Sequence, residues 1–81
     1  MPDLHGKVII VSGAAGGIGQ ELVSRLSSAG ATVVATDVDE VALRKVGGMA
    51  RVEAVICDVR KSDDWEKVFA SAARLGSIYA L

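Results

Sequence analysis

The sequence predicts an α/β fold, a parallel β-sheet in three layers with helices packed on its faces. Three observations carry this reading. Short apolar runs rich in β-branched residues recur along the chain, each too short for a typical helix. Between them lie segments whose apolar residues repeat at helical spacing. Glycine or aspartate closes the apolar runs. Strands that read as continuous apolar runs are buried on both faces, the condition of a parallel sheet joined by right-handed helical crossovers.

The first strand is KVIIVS, Lys7–Ser12, ending at Gly13. A helix follows over Gly17–Ala29, with Ile18, Leu22, Val23, Leu26 and Ala29 on one stripe and Gly30 as its C-terminal cap. ATVVAT, Ala31–Thr36, is the second strand, closed by Asp37. A short helix spans Asp39–Val46 and stops at Gly47-Gly48. RVEAVIC, Arg51–Cys57, is the third strand, closed by Asp58. Ser62 is placed to cap a last helix, with Asp63 and Asp64 in its first turn, where carboxylates complement the helix dipole. Trp65, Val68, Phe69 and Ala72 give that helix a core-facing stripe at i, i+3, i+4, i+7. SIYAL, Ser77–Leu81, reads as the start of a fourth strand.

The chain has 81 residues, of which 51% are apolar and 23% charged, so it is globular rather than disordered. That length makes one small domain or a piece of a larger one. The net charge of −1, with acids and bases interspersed, leaves no basic patch for nucleic acid and no polybasic membrane segment. A single cysteine cannot form an internal disulfide and suits a reducing compartment. No apolar run approaches the roughly 20 residues needed to span a bilayer, and the N-terminus MPDLHGK lacks a signal-peptide core. A cytoplasmic location is the expectation.

SGAAGGIG, Ser12–Gly19, stands between the first strand and the first helix. At such a turn the backbone N–H groups of the helix start point outward at the positive end of its dipole and can receive anionic oxygens. Glycine lets a pyrophosphate approach the backbone. The alternative is a bare tight turn with no ligand. A P-loop is excluded because no lysine follows the glycines, and the GxGxxG spacing is not literally present, since Leu22 stands where its last glycine would fall.

The octapeptide resembles the TGxxxGxG element of the short-chain dehydrogenases/reductases, with Ser12 in place of threonine. LHGKVIIVSGAAGGIG resembles the family's opening, ATVVATDVDE its second strand and acidic end, CDVRKSDDWEKVF its third strand and next helix, and LGSIYAL its approach to the fourth strand. The resemblance implies a Rossmann-type sheet with strand order 3-2-1, a stub of strand 4, and residues 1–81 as a partial NAD-binding domain. It implies that Gly13, Ala15, Gly16, Gly17, Ile18 and Gly19 form the pyrophosphate turn, with the Ile18 backbone facing the pyrophosphate and nicotinamide side. Simple core packing is the other role open to Ile18.

Asp37 lies 18 residues beyond Gly19, where an acid can accept both ribose hydroxyls of the adenosine half and repel a 2′-phosphate. Val38 follows it, and neither that position nor the glycine loop is basic, so NAD is expected over NADP. Asp37 capping the short helix is the competing role. Asp58 and Val59 match the family's adenine-pocket pair, Asp58 as hydrogen-bond acceptor and Val59 through backbone and apolar contact; a turn residue at the strand end is the alternative for Asp58. His5 precedes the first strand, Cys57 is a buried apolar residue, and Asp58, Asp63 and Asp64 serve separate roles rather than a cation, so no metal site is expected.

Family members run about 250 residues as one domain. Their chemistry uses a Tyr-x-x-x-Lys pair, in which the tyrosine supplies a proton and the lysine lowers its pKa, together with a serine that holds the substrate carbonyl. Tyr79 is the only tyrosine and is followed by two residues, so this stretch carries no catalytic residue. The expectation is the NAD-binding part of a hydride-transferring oxidoreductase, cut inside the fourth strand. The alternative is a non-enzymatic nucleotide-binding or self-assembling fragment. Without a full fourth strand, KVIIVS presents an unpaired apolar edge, and a homo-oligomer joined antiparallel through that edge is expected.

Overall fold

The computed structural model describes residues 3–76 and 78–80. Its elements run β1 (Val8–Ser12), α1 (Gly17–Ser28), β2 (Thr32–Asp37), α2 (Glu40–Gly47), β3 (Val52–Ile56), α3 (Ser62–Leu75) and β4 (Ile78–Ala80). The four strands form one parallel sheet in the order β3-β2-β1-β4. β1 and β2 pair without a break from Val8 opposite Thr32 to Ser12 opposite Thr36. β2 and β3 pair from Val33 opposite Val52 to Asp37 opposite Ile56.

The strand order follows from crossover handedness. Stepping β1 to β2 to β3 in one direction through right-handed connections puts α1 and α2 on one face. The return from β3 to β4 runs the other way and puts α3 on the opposite face. The core divides accordingly. Ile9, Val11, Val33 and Ala35 pack with Val23 of α1 and with Leu43 and Val46 of α2. Val8, Ile10 and Val34 pack with Val68 and Ala72 of α3. Consecutive β1 residues are thus buried on alternate faces, which is why KVIIVS shows no polar alternation.

Three local expectations change. The buried residues of α1 are Val23 and Ser27, whereas Leu22 is exposed and Ile18 is 90% exposed. The apolar stripe exists, but the helix is rotated so that its Leu22 side borders a groove of about 210 Å³ beside Ile9–Ser12 rather than the sheet centre. In α3, Val68 and Ala72 are buried, Trp65 is half-buried and Phe69 is exposed, its ring stacked on Trp65 at 5.7 Å between centroids. Ser62 does not cap α3; the cap position is Lys61, with no side-chain hydrogen bond, and Ser62 is the first helical residue.

The β1 edge is also less open than the sequence implied. β4 forms and pairs with it, Val8 opposite Ile78 and Ile9 opposite Ala80, with a register break between the two pairs. Only the upper half, Ile10–Ser12, has no strand partner on that side among the described residues. Ser77 and Leu81, the ends of the fourth-strand segment read from sequence, lie outside the described residues.

Helix α1 closes on a Schellman turn. The Ala31 N–H donates to the Leu26 carbonyl at 3.1 Å and the Gly30 N–H to Ser27 at 3.0 Å, with Gly30 at φ +99°. The His5 ring lies against the Gly30 Cα, so that an added Cβ would stand 2.7 Å from its Nδ1. The Leu4 N–H donates to the Ala29 carbonyl at 2.9 Å and anchors the segment before β1 to the same turn. Gly30→Ala is expected to lose about 1–3 kcal/mol in urea denaturation, because it meets both an unfavourable φ and the imidazole. His5→Ala in the same background is expected to recover the steric part and leave the φ part.

Candidate functional site

The first crossover leads from β1 toward β2, and the chain later returns to β4 on the other side of β1. The carboxyl end of β1 is therefore the switch point of the sheet, where open α/β folds leave a crevice for ligands. The glycine loop and the ends of β2 and β3 meet there. Gly13, Asp37, Val38, Asp58 and Val59 line a cavity of about 320 Å³ together with Thr36, Cys57 and Arg60. Ala15, Gly16, Gly17, Ile18 and Gly19 form the adjoining helix start.

The loop is pinned by backbone bonds to β2. The Ala14 N–H donates to the Thr36 carbonyl at 3.0 Å, and the buried Thr36 hydroxyl donates to the Val11 carbonyl at 3.3 Å. The Ala15 N–H donates to Asp37 Oδ2 at 3.0 Å, and Gln20 Nε2 holds the Ala15 carbonyl at 2.7 Å. A Cβ on Gly19 would overlap the Gly13 carbonyl oxygen and lie 2.8 Å from the Ala14 Cα, so only glycine permits this loop to fold onto the first turn of α1. The two helices on that face begin differently. Helix α2 is capped by Asp39, whose Oδ1 accepts the Ala42 N–H at 3.1 Å. Helix α1 has Gly16 at its cap position, with no capping side-chain hydrogen bond and no acid in its first turn, so its first N–H groups have no intrahelical acceptor.

Asp37 is a loop-binding residue in this structure. Its Oδ1 accepts the Asp39 N–H at 3.0 Å while Oδ2 holds Ala15. The Asp39 amide, followed by those of Ala15 and Val38, draws its carboxyl below the ordinary value against the opposing effect of partial burial. Asp39, not Asp37, caps α2.

Asp58 is the most heavily engaged side chain of the site. The guanidinium of Arg60 donates from Nε to Oδ1 at 3.0 Å and from Nη2 to Oδ2 at 2.9 Å, and the Arg60 N–H reaches Oδ1 at 3.0 Å. The Asp58 amide donates to Asp64 Oδ2 at 2.9 Å, so Asp64 is more than a helix-start charge. Sequence reasoning missed Arg60 as a wall of this cavity. The signal available was the Asp-x-Arg spacing at a strand end, where an Asx turn brings the third residue back over the first. Cys57 is buried, and burial, then the charges of Asp64 and Asp58, pushes its thiol up and disfavours the thiolate. Among the described residues no three His, Cys, Asp or Glu side chains are grouped to hold a metal ion.

The Arg60 side chain, then its amide, holds the Asp58 carboxyl down at about 2. Since the folded value lies below the unfolded one of about 3.9, the pair contributes its stability fully above that unfolded value and loses it as pH falls toward the folded value. A carboxyl-detected NMR titration is expected to give Asp58 a midpoint near 2, moving up toward about 3.9 in Arg60→Ala.

Residues 7–81 match the family model for short chain dehydrogenases. The chain is 34% identical over 79 residues to dehydrogenase/reductase SDR family member 6 of Xenopus laevis, covering 98% of this chain and 32% of that one. Its fold superposes on a short chain dehydrogenase/reductase from Burkholderia phymatum, solved in complex with NAD, with a TM-score of 0.86 at 28% identity over 98% of this chain and 30% of that one. It superposes likewise on a 3-ketoacyl-(acyl-carrier-protein) reductase from Brucella melitensis, complexed with NADH, with a TM-score of 0.84 at 30% identity, covering 91% and 32%. The chain spans about a third of the length of these relatives. With the pinned glycine turn, the acid at the end of β2 and the 3-2-1-4 sheet all in place, this chain belongs to the short chain dehydrogenase family.

Proposed function

We propose that this chain is the NAD(H)-binding part of an oxidoreductase, a partial domain that receives the adenosine half of the dinucleotide and carries no catalytic residue of its own. In the whole parent the bound NAD would accept or donate the hydride exchanged with an alcohol or ketone carbon. The single observation that carries this reading is the glycine loop tied through Ala15 to Asp37 beside an uncapped helix start.

The residues fit the group. A Cβ on Gly17 would have nothing within 4 Å, so the fold itself does not demand glycine there, and the space it leaves suits a diphosphate. The N–H groups of Gly17, Ile18 and Gly19 are the ones left without intrahelical acceptors. Ile18, exposed rather than packed, puts its backbone and not its side chain to use. Asp37 would take the adenosine ribose and disfavour a 2′-phosphate, Val38 would flank the sugar, and Asp58 and Val59 would border the base. A cytoplasmic setting suits one buried, unpaired thiol; no helix among the described residues is long and apolar enough to cross a membrane.

Calorimetric titration with NAD, NADP and AMP tests the assignment. NAD and AMP are expected to bind and NADP to bind more weakly. Asp37→Ala should weaken NAD and AMP by roughly tenfold, the loss of a charge-assisted hydrogen bond, and narrow the gap to NADP. Gly17→Ala should weaken NAD while leaving the melting temperature of the free chain in place. No heat with any of the three, or equal affinity for NAD and NADP, rejects the assignment.

A second reading concerns association. The upper half of β1, without a strand partner on that side among the described residues, and the groove bordered by Leu22 and Leu26 favour pairing with a second copy of the chain, antiparallel about a two-fold axis. Sedimentation at high micromolar concentration is expected to show a dimer; a monodisperse monomer excludes it.

A further inference from the structure

We infer that Ser27 and Arg51 form a clasp at the far end of α1 that sets the aim of its amide-bearing start, which makes Arg51 a positioning residue for a diphosphate that it does not touch. This deepens the nucleotide reading above and rests on it.

The clasp is reciprocal. The Ser27 hydroxyl donates to the Ala50 carbonyl, and the Arg51 guanidinium donates from Nη2 to the Ser27 carbonyl, each at 2.5 Å. Arg51 is itself fastened to the sheet, since its carbonyl accepts the Val33 N–H of β2 at 2.8 Å. The last turn of α1 is therefore tied, through the turn before β3, to an interior strand. The guanidinium also stands at the negative end of the α1 dipole, where a cation is favoured.

Both partners depart from the ordinary choice at their positions. Arg51 is the one non-glycine residue with positive φ among the described residues, at +61°, a backbone conformation that side chains disfavour. Ser27 is 7% exposed, a polar residue in the buried row of a helix where an apolar one is the rule. The bonds of the clasp account for both.

Helix α1 depends on such an anchor. Its buried residues are Val23 and Ser27, both in its second half, and Gly17–Leu22 contribute none. Leu22 and Leu26 border an open groove, so no side wall holds the helix there. At its other end Gly19 lies on the Gly13 carbonyl, backbone against backbone. The helix is thus a rod of 12 residues, about 18 Å long, held near its two ends. Releasing the Ser27 end lets the rod turn about the Gly19 end, and the N–H groups of Gly17, Ile18 and Gly19 turn with it. A misalignment of about 10–20° separates a well-formed site from a loose one.

Arg51→Gly is the sharpest variant, because glycine keeps the positive φ at no steric cost while the guanidinium is lost. Residual dipolar couplings of the free full chain are expected to show the α1 axis turned relative to β1 and β2 in Arg51→Gly and in Ser27→Ala. Arg51→Lys, which keeps a long donor, should restore the axis. In amide NMR titrations with ADP the two clasp variants are expected to bind about threefold more weakly, within the range for residues that touch no ligand, and Arg51→Lys to recover most of the loss. An unchanged axis, an unchanged ADP affinity, or an Arg51→Lys chain no better than Arg51→Gly overturns the positioning role and leaves the nucleotide reading standing. If the unaltered chain shows no shifts with ADP at millimolar concentration, the nucleotide reading falls and the positioning role falls with it.

Discussion

Helix α1 begins where it does because its first turn lies directly on the backbone of the loop before it. Gly19 has no Cβ, and a Cβ there would overlap the Gly13 carbonyl and crowd the Ala14 Cα. With that approach allowed, the Ala14 N–H can reach the Thr36 carbonyl and the Ala15 N–H the Asp37 carboxylate. The loop is then tied to β2, and the start of α1 is aimed across the carboxyl ends of the strands. One missing side chain links the sheet to the site: without the approach, the turn would be a loose connection and Asp37 would have no amide to hold beyond its own Asx turn.

The alternation of strands and helices was legible because burial on both faces of a parallel sheet writes itself as unbroken apolar runs, and the crossover rule then fixes which face each helix covers. The rotation of α1 was not. Periodicity locates a stripe containing Ile18, Leu22, Val23 and Leu26, but the sheet selects which part of it to bury, and it took Val23 with Ser27. Ser27 is buried because its hydroxyl donates to the Ala50 carbonyl at 2.5 Å, a long-range partner with no sequence signature. Spacing alone makes Phe69 a core residue, whereas stacking on Trp65 holds it at the exposed rim.

At the site, sequence placed the glycine turn, Asp37 and Asp58 correctly at the strand ends but not the partners they have already taken. Three Asp side chains carry out local construction: Asp37 ties down the glycine loop, Asp39 caps α2, and Asp58 clasps Arg60. The Asp39 and Asp58 bonds depend on three- and two-residue offsets that occur in countless turns, and the Asp37–Ala15 bond spans 22 residues, so spacing alone gives none of them weight. Asp64, read as a dipole charge, is equally a fastener for the Asp58 amide. Asp37 and Asp39 are oriented by backbone donors, and Asp58 by the Arg60 guanidinium and then the Arg60 amide.

The difference between the capped start of α2 and the uncapped start of α1 has a thermodynamic consequence. In α2 the chain itself satisfies one of the first donors, the Ala42 N–H, through Asp39. Helix α1 has no such side-chain cap, and a solute that binds only the folded form enters the folding equilibrium as a linked variable. An anion that binds this helix start in the folded form alone would stabilise the chain as the logarithm of its concentration, a dependence that the capped start of α2 offers less scope for.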